Sequence, residues 1–242
     1  VLGEQDVFVP EMFIQIGIRQ GYVSVADWPA FQRSLFSVRI FLLNSCFKMV
    51  SFGYEAKINR ESNMALMALN YPQLKKSDYD WIQKIRSEHD RENFKVIEPH
   101  FTIVFPSKRF EKDRFVGHIK DTIRGLSEIK FTIRCATVNH TPVHKAYFVF
   151  LVPDEGFSGI VKLRDAIYTG FMADFLKLDT PYQPHITAGI SDASFVCKNL
   201  VDKINAENKE IVGRISNVEI IDLDEGVITP IEKIPLMPIH SG

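Results

Sequence analysis

The chain has 242 residues, 45% of them hydrophobic and 24% charged, with 29 Lys+Arg against 30 Asp+Glu. That composition excludes disorder and collagen-like order, and suits one large domain or two small lobes with a sizeable core. A net charge of -1 argues against holding long nucleic acid by bulk electrostatics, so any nucleic-acid role has to be local.

Residues 1–63 are Phe-rich and weakly patterned, and Pro10, Gly17, Gly21 and Pro29 break any long element. They are expected to form an N-terminal extension of unassigned role, with the main domain over residues 64–238. The most apolar stretch, residues 35–52, is interrupted by Arg39 and Lys48, so no membrane partner is expected. Cys46, Cys135 and Cys197 are odd in number and widely spaced, which is neither a disulfide framework nor a zinc site. They read as small apolar core residues in a reducing compartment, making the cytoplasm the expected address.

From residue 64 the pattern becomes regular. Residues 64–70 form an apolar run ended by Tyr71-Pro72, as a buried strand requires. A helix follows, with Ser77 as expected N-cap and Tyr79, Ile82, Ile85 and Arg86 on one face as far as Asp90. A strand over 101–105 is closed by Pro106, and helical spacing returns over 111–126 through Phe115, Ile119, Ile123 and Leu126. Two β-rich runs, 129–138 and 146–152, predict a hairpin. Then come a helix over 160–170, a strand over 185–190, a helix over 195–205, and strands over 211–223 and 227–234. This alternation predicts an α+β, bilobal fold: two pseudo-symmetric, antiparallel-rich sheets with flanking helices around a central cleft. Neither GxGxxG nor GxxxxGK[ST] occurs, which disfavours nucleotide chemistry of those types.

Two segments repeat each other. Pro99-His100-Phe101-Thr102 and Pro184-His185-Ile186-Thr187 each place Pro-His-apolar-Thr at the opening of an expected strand, 85 residues apart. In a strand, residues i and i+2 share a face, so each imidazole lies beside a hydroxyl. Two imidazoles facing across a cleft suit proton removal by one and proton donation by the other. That is the demand of phosphodiester chemistry without a metal: one His activates water or a ribose hydroxyl, the other protonates the leaving oxygen. Thr102 and Thr187 would hold the non-bridging oxygens as charge develops. A single His-x-Thr carries little information; the repetition in matching contexts carries the reading.

With HFTIVFP at 100–106 and PHITAGI at 184–190, the chain resembles the two-histidine phosphoesterases, which include 2′-5′ RNA ligase-like proteins and cyclic nucleotide phosphodiesterases. The resemblance covers about residues 64–235. It implies His100 and His185 as the acid/base pair, Thr102 and Thr187 as phosphate ligands, a bilobal fold, and no metal or other cofactor. It also implies a small nucleotide or RNA end bearing a cyclic or 2′-linked phosphate as partner; no protein partner is expected.

Lesser candidates are Tyr182 at the cleft edge and Tyr147 or Phe148 on the neighbouring strand, any of which could stack on a base or simply fill the core. Lys108, Arg109, Lys112 and Arg114 read as a solvated helix start, and His118, His140, His144 and His240 as surface or loop residues. Three functions stay open at this level: hydrolysis of a 2′,3′-cyclic phosphate or 2′-5′ linkage, 2′-5′ RNA ligation, and a non-catalytic module binding a nucleotide or RNA end.

Overall fold

The computed structural model describes residues 64–239 apart from 142–144, 179–180 and 225. The expected extension over 1–63, with Cys46, and the side chains of His144 and His240 lie outside the described residues. The strands are β1 (Leu66–Asn70), β2 (Gln73–Leu74), β3 (Phe101–Ser107), β4 (Ile129–Thr141), β5 (Ala146–Glu155), β6 (Ile186–Ser191), β7 (Ile211–Ile215), β8 (Asn217–Asp224) and β9 (Val227–Pro235). The helices are α1 (Lys76–His89), α2 (Arg91–Phe94), α3 (Lys112–Ile123), α4 (Phe157–Ile167) and α5 (Ser194–Ala206), with a 3-10 turn at Gly170–Phe175.

These strands make two antiparallel sheets, one of four strands ordered β3-β1-β8-β9 and one of five ordered β2-β7-β4-β5-β6. The mixed architecture with two antiparallel sheets agrees with the sequence reading. The sheets interlock rather than following the two halves of the chain. The first half lends its terminal hairpin, β4-β5, to the five-stranded sheet, while the last hairpin, β8-β9, returns to the four-stranded one.

The long strand expected over 211–223 is therefore two. Ser216 separates β7, which pairs with β4, from β8, which pairs with β1. The buried Asn70 amide donates to the Asn217 carbonyl at 2.8 Å, and Gln73 Nε2 donates to Ser216 Oγ at 3.0 Å, fixing the crossing. These two donors are satisfied only where the chain crosses between the sheets, which opposes continuation as a single strand.

Strand β1 is buried on both faces, as a central strand must be. Helix α3 buries Phe115, Ile119 and Ile123, and α4 buries Ile160, Leu163 and Ile167, each a stripe at helical spacing. Glu111 caps α3, its carboxylate accepting from the backbone N–H groups of Asp113 and Arg114. The N-cap expected at Ser77 is instead Lys75, one residue before the start of α1, so Ser77 falls inside the first turn. Pro106 does not close β3, which continues to Ser107; β3 is an edge strand, where the missing N–H breaks no ladder bond.

Two glycines serve the region between the sheets. Gly156 takes φ 80° ahead of α4, and a Cβ there would meet the Lys130 carbonyl oxygen at 2.3 Å. A Cβ on Gly213 would lie 2.3 Å from the ring of Phe131. That ring meets Phe101 edge-on at 5.0 Å, and Phe101 is the residue after His100.

Candidate active site

Both histidines lie one residue ahead of their strands, His100 before β3 and His185 before β6, each following a buried proline. β3 and β6 are the outer strands of the two different sheets, so each motif sits on a sheet edge. In each, the ring turns back on its own chain. His100 Nδ1 lies 2.8 Å from the Glu98 carbonyl oxygen, and His185 Nδ1 lies 2.6 Å from that of Gln183. A carbonyl can only accept, so Nδ1–H donates in both rings and the basic lone pair resides on Nε2. Thr102 and Thr187 follow two residues later, both half-buried.

Burial holds both imidazoles well below their ordinary range, His100 to about 4 and His185 to about 4, against the raising effect of each carbonyl bond. The positive charge of Arg86 lowers His100 further, and that of His100 lowers His185, so the two rings interact electrostatically. Their aromatic neighbours differ. His185 stacks flat on the buried Phe150, ring centroids 3.4 Å apart at 14°, whereas His100 meets Tyr71 edge-on at 6.2 Å and 73°.

A cavity of about 220 Å³ is lined by His100, Pro99 and Pro106 from one sheet and by Thr187, Ile190 and Phe148 from the other, while Thr102 and His185 are not among its lining residues. Its remaining wall includes Arg86 and Asp90. Their side chains are 2% exposed, and the Arg86 guanidinium donates to Asp90 Oδ2 at 3.3 Å, to Gln83 Oε1 at 3.1 Å and to the Ile97 carbonyl at 2.8 Å. The last bond fixes the loop that delivers Glu98 and His100.

Alternation along β5 separates the aromatic candidates. Phe148 shares a face with Phe150, at 5.8 Å between rings, and lines the cavity. Tyr147 points the other way, against His140 at 4.8 Å and the apolar core, so it does not reach the cavity. Tyr182 is also not a free platform. Its hydroxyl donates to the Thr102 carbonyl at 3.0 Å, and the Arg164 guanidinium lies over its ring at 4.3 Å.

Sequence reasoning missed Arg86, Asp90, Phe150 and Tyr71. A signal for the first pair was present: an arginine inside the apolar stripe of α1 with an aspartate four residues on. Phe150 and Tyr71 carried no signal, because neither strand parity nor the approach of separate segments is written locally. Of the basic run, Arg109 and Arg114 line a second cavity, Arg109 over Phe175 at 4.8 Å and Arg114 over Phe171 at 4.1 Å. His118 is not a surface residue; its Nε2 donates to the Ile167 carbonyl at 2.8 Å, joining α3 to the end of α4. Cys197 is buried as expected, but Cys135 is exposed on β4. Among the described residues no group of three or more His, Cys, Asp or Glu side chains is placed to hold a metal ion, and no helix is long and apolar enough to cross a membrane.

Residues 74–227 match the family model described as the 2′-5′ RNA ligase superfamily, more than half of the chain. No curated protein matches by sequence. Similar solved structures include Usb1 of Kluyveromyces marxianus, at 12% identity and TM-score 0.44, covering 73% of this chain and 99% of that one. Another is E. coli LigT complexed with 3′-AMP, at 14% identity and TM-score 0.44, covering 72% and 99%. A third is TT0787 of Thermus thermophilus, at 16% identity and TM-score 0.47, covering 73% and 100%.

Proposed function

The chain belongs to the 2′-5′ RNA ligase superfamily, and on that premise we propose that it hydrolyses a phosphodiester of a small nucleotide or RNA end, a 2′,3′-cyclic phosphate or a 2′-5′ linkage, with His100 and His185 as the acid/base pair. The observation that carries this reading is the duplicated ring geometry. Each Nδ1–H is committed to a carbonyl two residues upstream, which leaves two Nε2 atoms, one per motif, to move protons.

In the hydrolytic direction one Nε2 takes a proton from water as the water oxygen bonds to phosphorus. The other, already protonated, gives its proton to the ribose oxygen as the phosphorus–oxygen bond breaks, and a phosphomonoester remains. The Thr102 and Thr187 hydroxyls donate to the non-bridging oxygens, where charge accumulates in the transition state. With a 5′-hydroxyl in place of water, the same two proton transfers open a 2′,3′-cyclic phosphate into a 2′-5′ diester and a free 3′-hydroxyl, which is ligation. With both imidazoles held near pKa 4, neither ring is charged at neutral pH. A phosphate dianion or diester entering the site favours the imidazolium and so draws in the proton that the acid step needs.

Near-neutral total charge and the small cavity favour a mononucleotide or short oligonucleotide over a tRNA-sized ligand. Phe148 is the base platform in this reading, in place of Tyr147 and Tyr182. The test is turnover of nucleoside 2′,3′-cyclic phosphates and short 2′-5′ oligonucleotides in EDTA. Turnover that survives chelation supports metal-independent two-histidine chemistry; a requirement for added divalent ion, or tight binding with no turnover by any panel member, overturns it.

A further inference from the structure

The two motifs sit on edges of different sheets, so no backbone ladder sets the distance between His100 and His185. One side-chain bond does cross from the flank of one motif to the other. Tyr182, three residues before His185, donates its hydroxyl to the carbonyl of Thr102, two residues after His100, at 3.0 Å. Its ring is held from behind. The guanidinium of Arg164, a side chain 8% exposed, lies 4.3 Å from the Tyr182 ring centroid and 4.6 Å from that of Tyr168. Arg164 Nε is buried without an acceptor; its Nη1 lies 3.6 Å from the exposed Asp165 carboxylate, and the two ring faces flank the rest of the cation.

Tyr168 completes the arrangement, since the backbone of Phe105 hydrogen-bonds its hydroxyl. Two tyrosines braced on one arginine thus hold the outer edge of β3, whose backbone groups have no strand partner on that side among the described residues. Burial pushes both hydroxyls above the usual phenol range, which keeps them protonated at neutral pH.

We propose that Tyr182 is a positioning residue that sets the separation of the two reacting imidazoles through its bond to the Thr102 carbonyl, with Arg164 and Tyr168 as its brace. The inference rests on the reading of His100 and His185 as a reacting pair. Proton transfer through two groups at once tolerates little misplacement, and an error of about 1 Å costs about 100-fold in rate. Tyr182 therefore acts on the chemical step rather than on substrate contact.

The test is Tyr182→Phe, which keeps the ring on Arg164 and removes only the hydroxyl, beside Tyr79→Phe as a control on α1, where the hydroxyl accepts from Gln83 instead. Three quantities are read: kcat and KM on a cyclic nucleotide, the thermal midpoint, and the ring ¹⁵N resonances of both histidines. The expected result for Tyr182→Phe is a fall in kcat of about 10- to 100-fold with KM within about twofold. The thermal midpoint should hold while both histidine rings shift. Unmoved ring resonances, or a kcat equal to wild type, overturn the proposal. Were wild type inactive on every substrate, the proposed reaction would fail, while the ring resonances alone would still decide the positioning role. Should Tyr182→Phe not fold, Arg164→Met, which removes the brace but keeps the hydroxyl, carries the same expectation and the same refutation.

Discussion

His100 and His185 share a local geometry and differ in what lies behind it. Both rings bond the carbonyl two residues upstream, at 2.8 and 2.6 Å, and both precede an edge strand. Behind His100 stands a buried cation, Arg86; beneath His185 lies the face of Phe150 at 3.4 Å. A positive charge opposes protonation of its neighbour, whereas an aromatic face favours a cation above it. Two copies of one short motif thus keep different neighbours beneath the same dominant effect, burial, which holds both rings at about 4.

The largest test breaks both sides of the comparison. His100→Ala and His185→Ala should each lower kcat by about 100- to 10,000-fold, with nucleotide affinity largely kept. The double variant should fall well short of the product of the two losses, because the histidines act as one unit. Single-turnover rates and equilibrium binding of a product nucleotide separate the two quantities.

Next in size, the His100 side can be broken alone. Arg86→Met strands Asp90, a carboxyl whose pKa burial already raises, and should cost about 3 to 5 kcal/mol in urea unfolding. Because the Ile97 carbonyl loses its donor as well, His100 should lose order while the Phe150–His185 stack persists. Arg86→Met with Asp90→Leu should recover much of the stability, since an apolar pair leaves no buried charge.

Acid should weaken the fold through both sites. Each imidazole is held at about 4 in the folded chain against an ordinary value of 6.5, so between these limits the unfolded chain binds more protons. Stability is then flat above about pH 6.5 from this source and declines as pH falls toward 4. The urea midpoint followed from pH 7.5 to 5 should show that decline. Replacing either histidine with alanine should flatten it.

The smallest effect sharpens the difference on the His185 side. Phe150→Leu removes a ring contact worth about 0.5 to 1.5 kcal/mol and the aromatic face that favours the imidazolium. The His185 titration, followed by NMR, should move down while that of His100 stays within a few tenths of a unit. Equal movement of both would mean that Phe150 acts through general packing.

Much of this was legible in the residue string. The apolar run at β1, the stripe Phe115, Ile119, Ile123 and the repeated Pro-His-apolar-Thr are local periodicities, and local sterics and burial suffice to translate them. The rings' carbonyl bonds span only two residues each, but which partner each ring takes was not written in the residue string. Three further things were not legible. Ser216 divides one β-rich run between two sheets because Asn70 and Gln73, far away in sequence, supply the hydrogen bonds there. Phe148 reaches the cavity and Tyr147 does not because pairing with β4 and β6 fixes the parity of β5. The Tyr182 hydroxyl meets a backbone carbonyl because Thr102, 80 residues earlier, is brought beside it. The sequence by itself determined the chemical groups, their local presentation and the family. Only the tertiary structure decided which charge and which ring face each imidazole, because those neighbours come from segments whose pairing is set by long-range burial and by hydrogen bonds with no local signature.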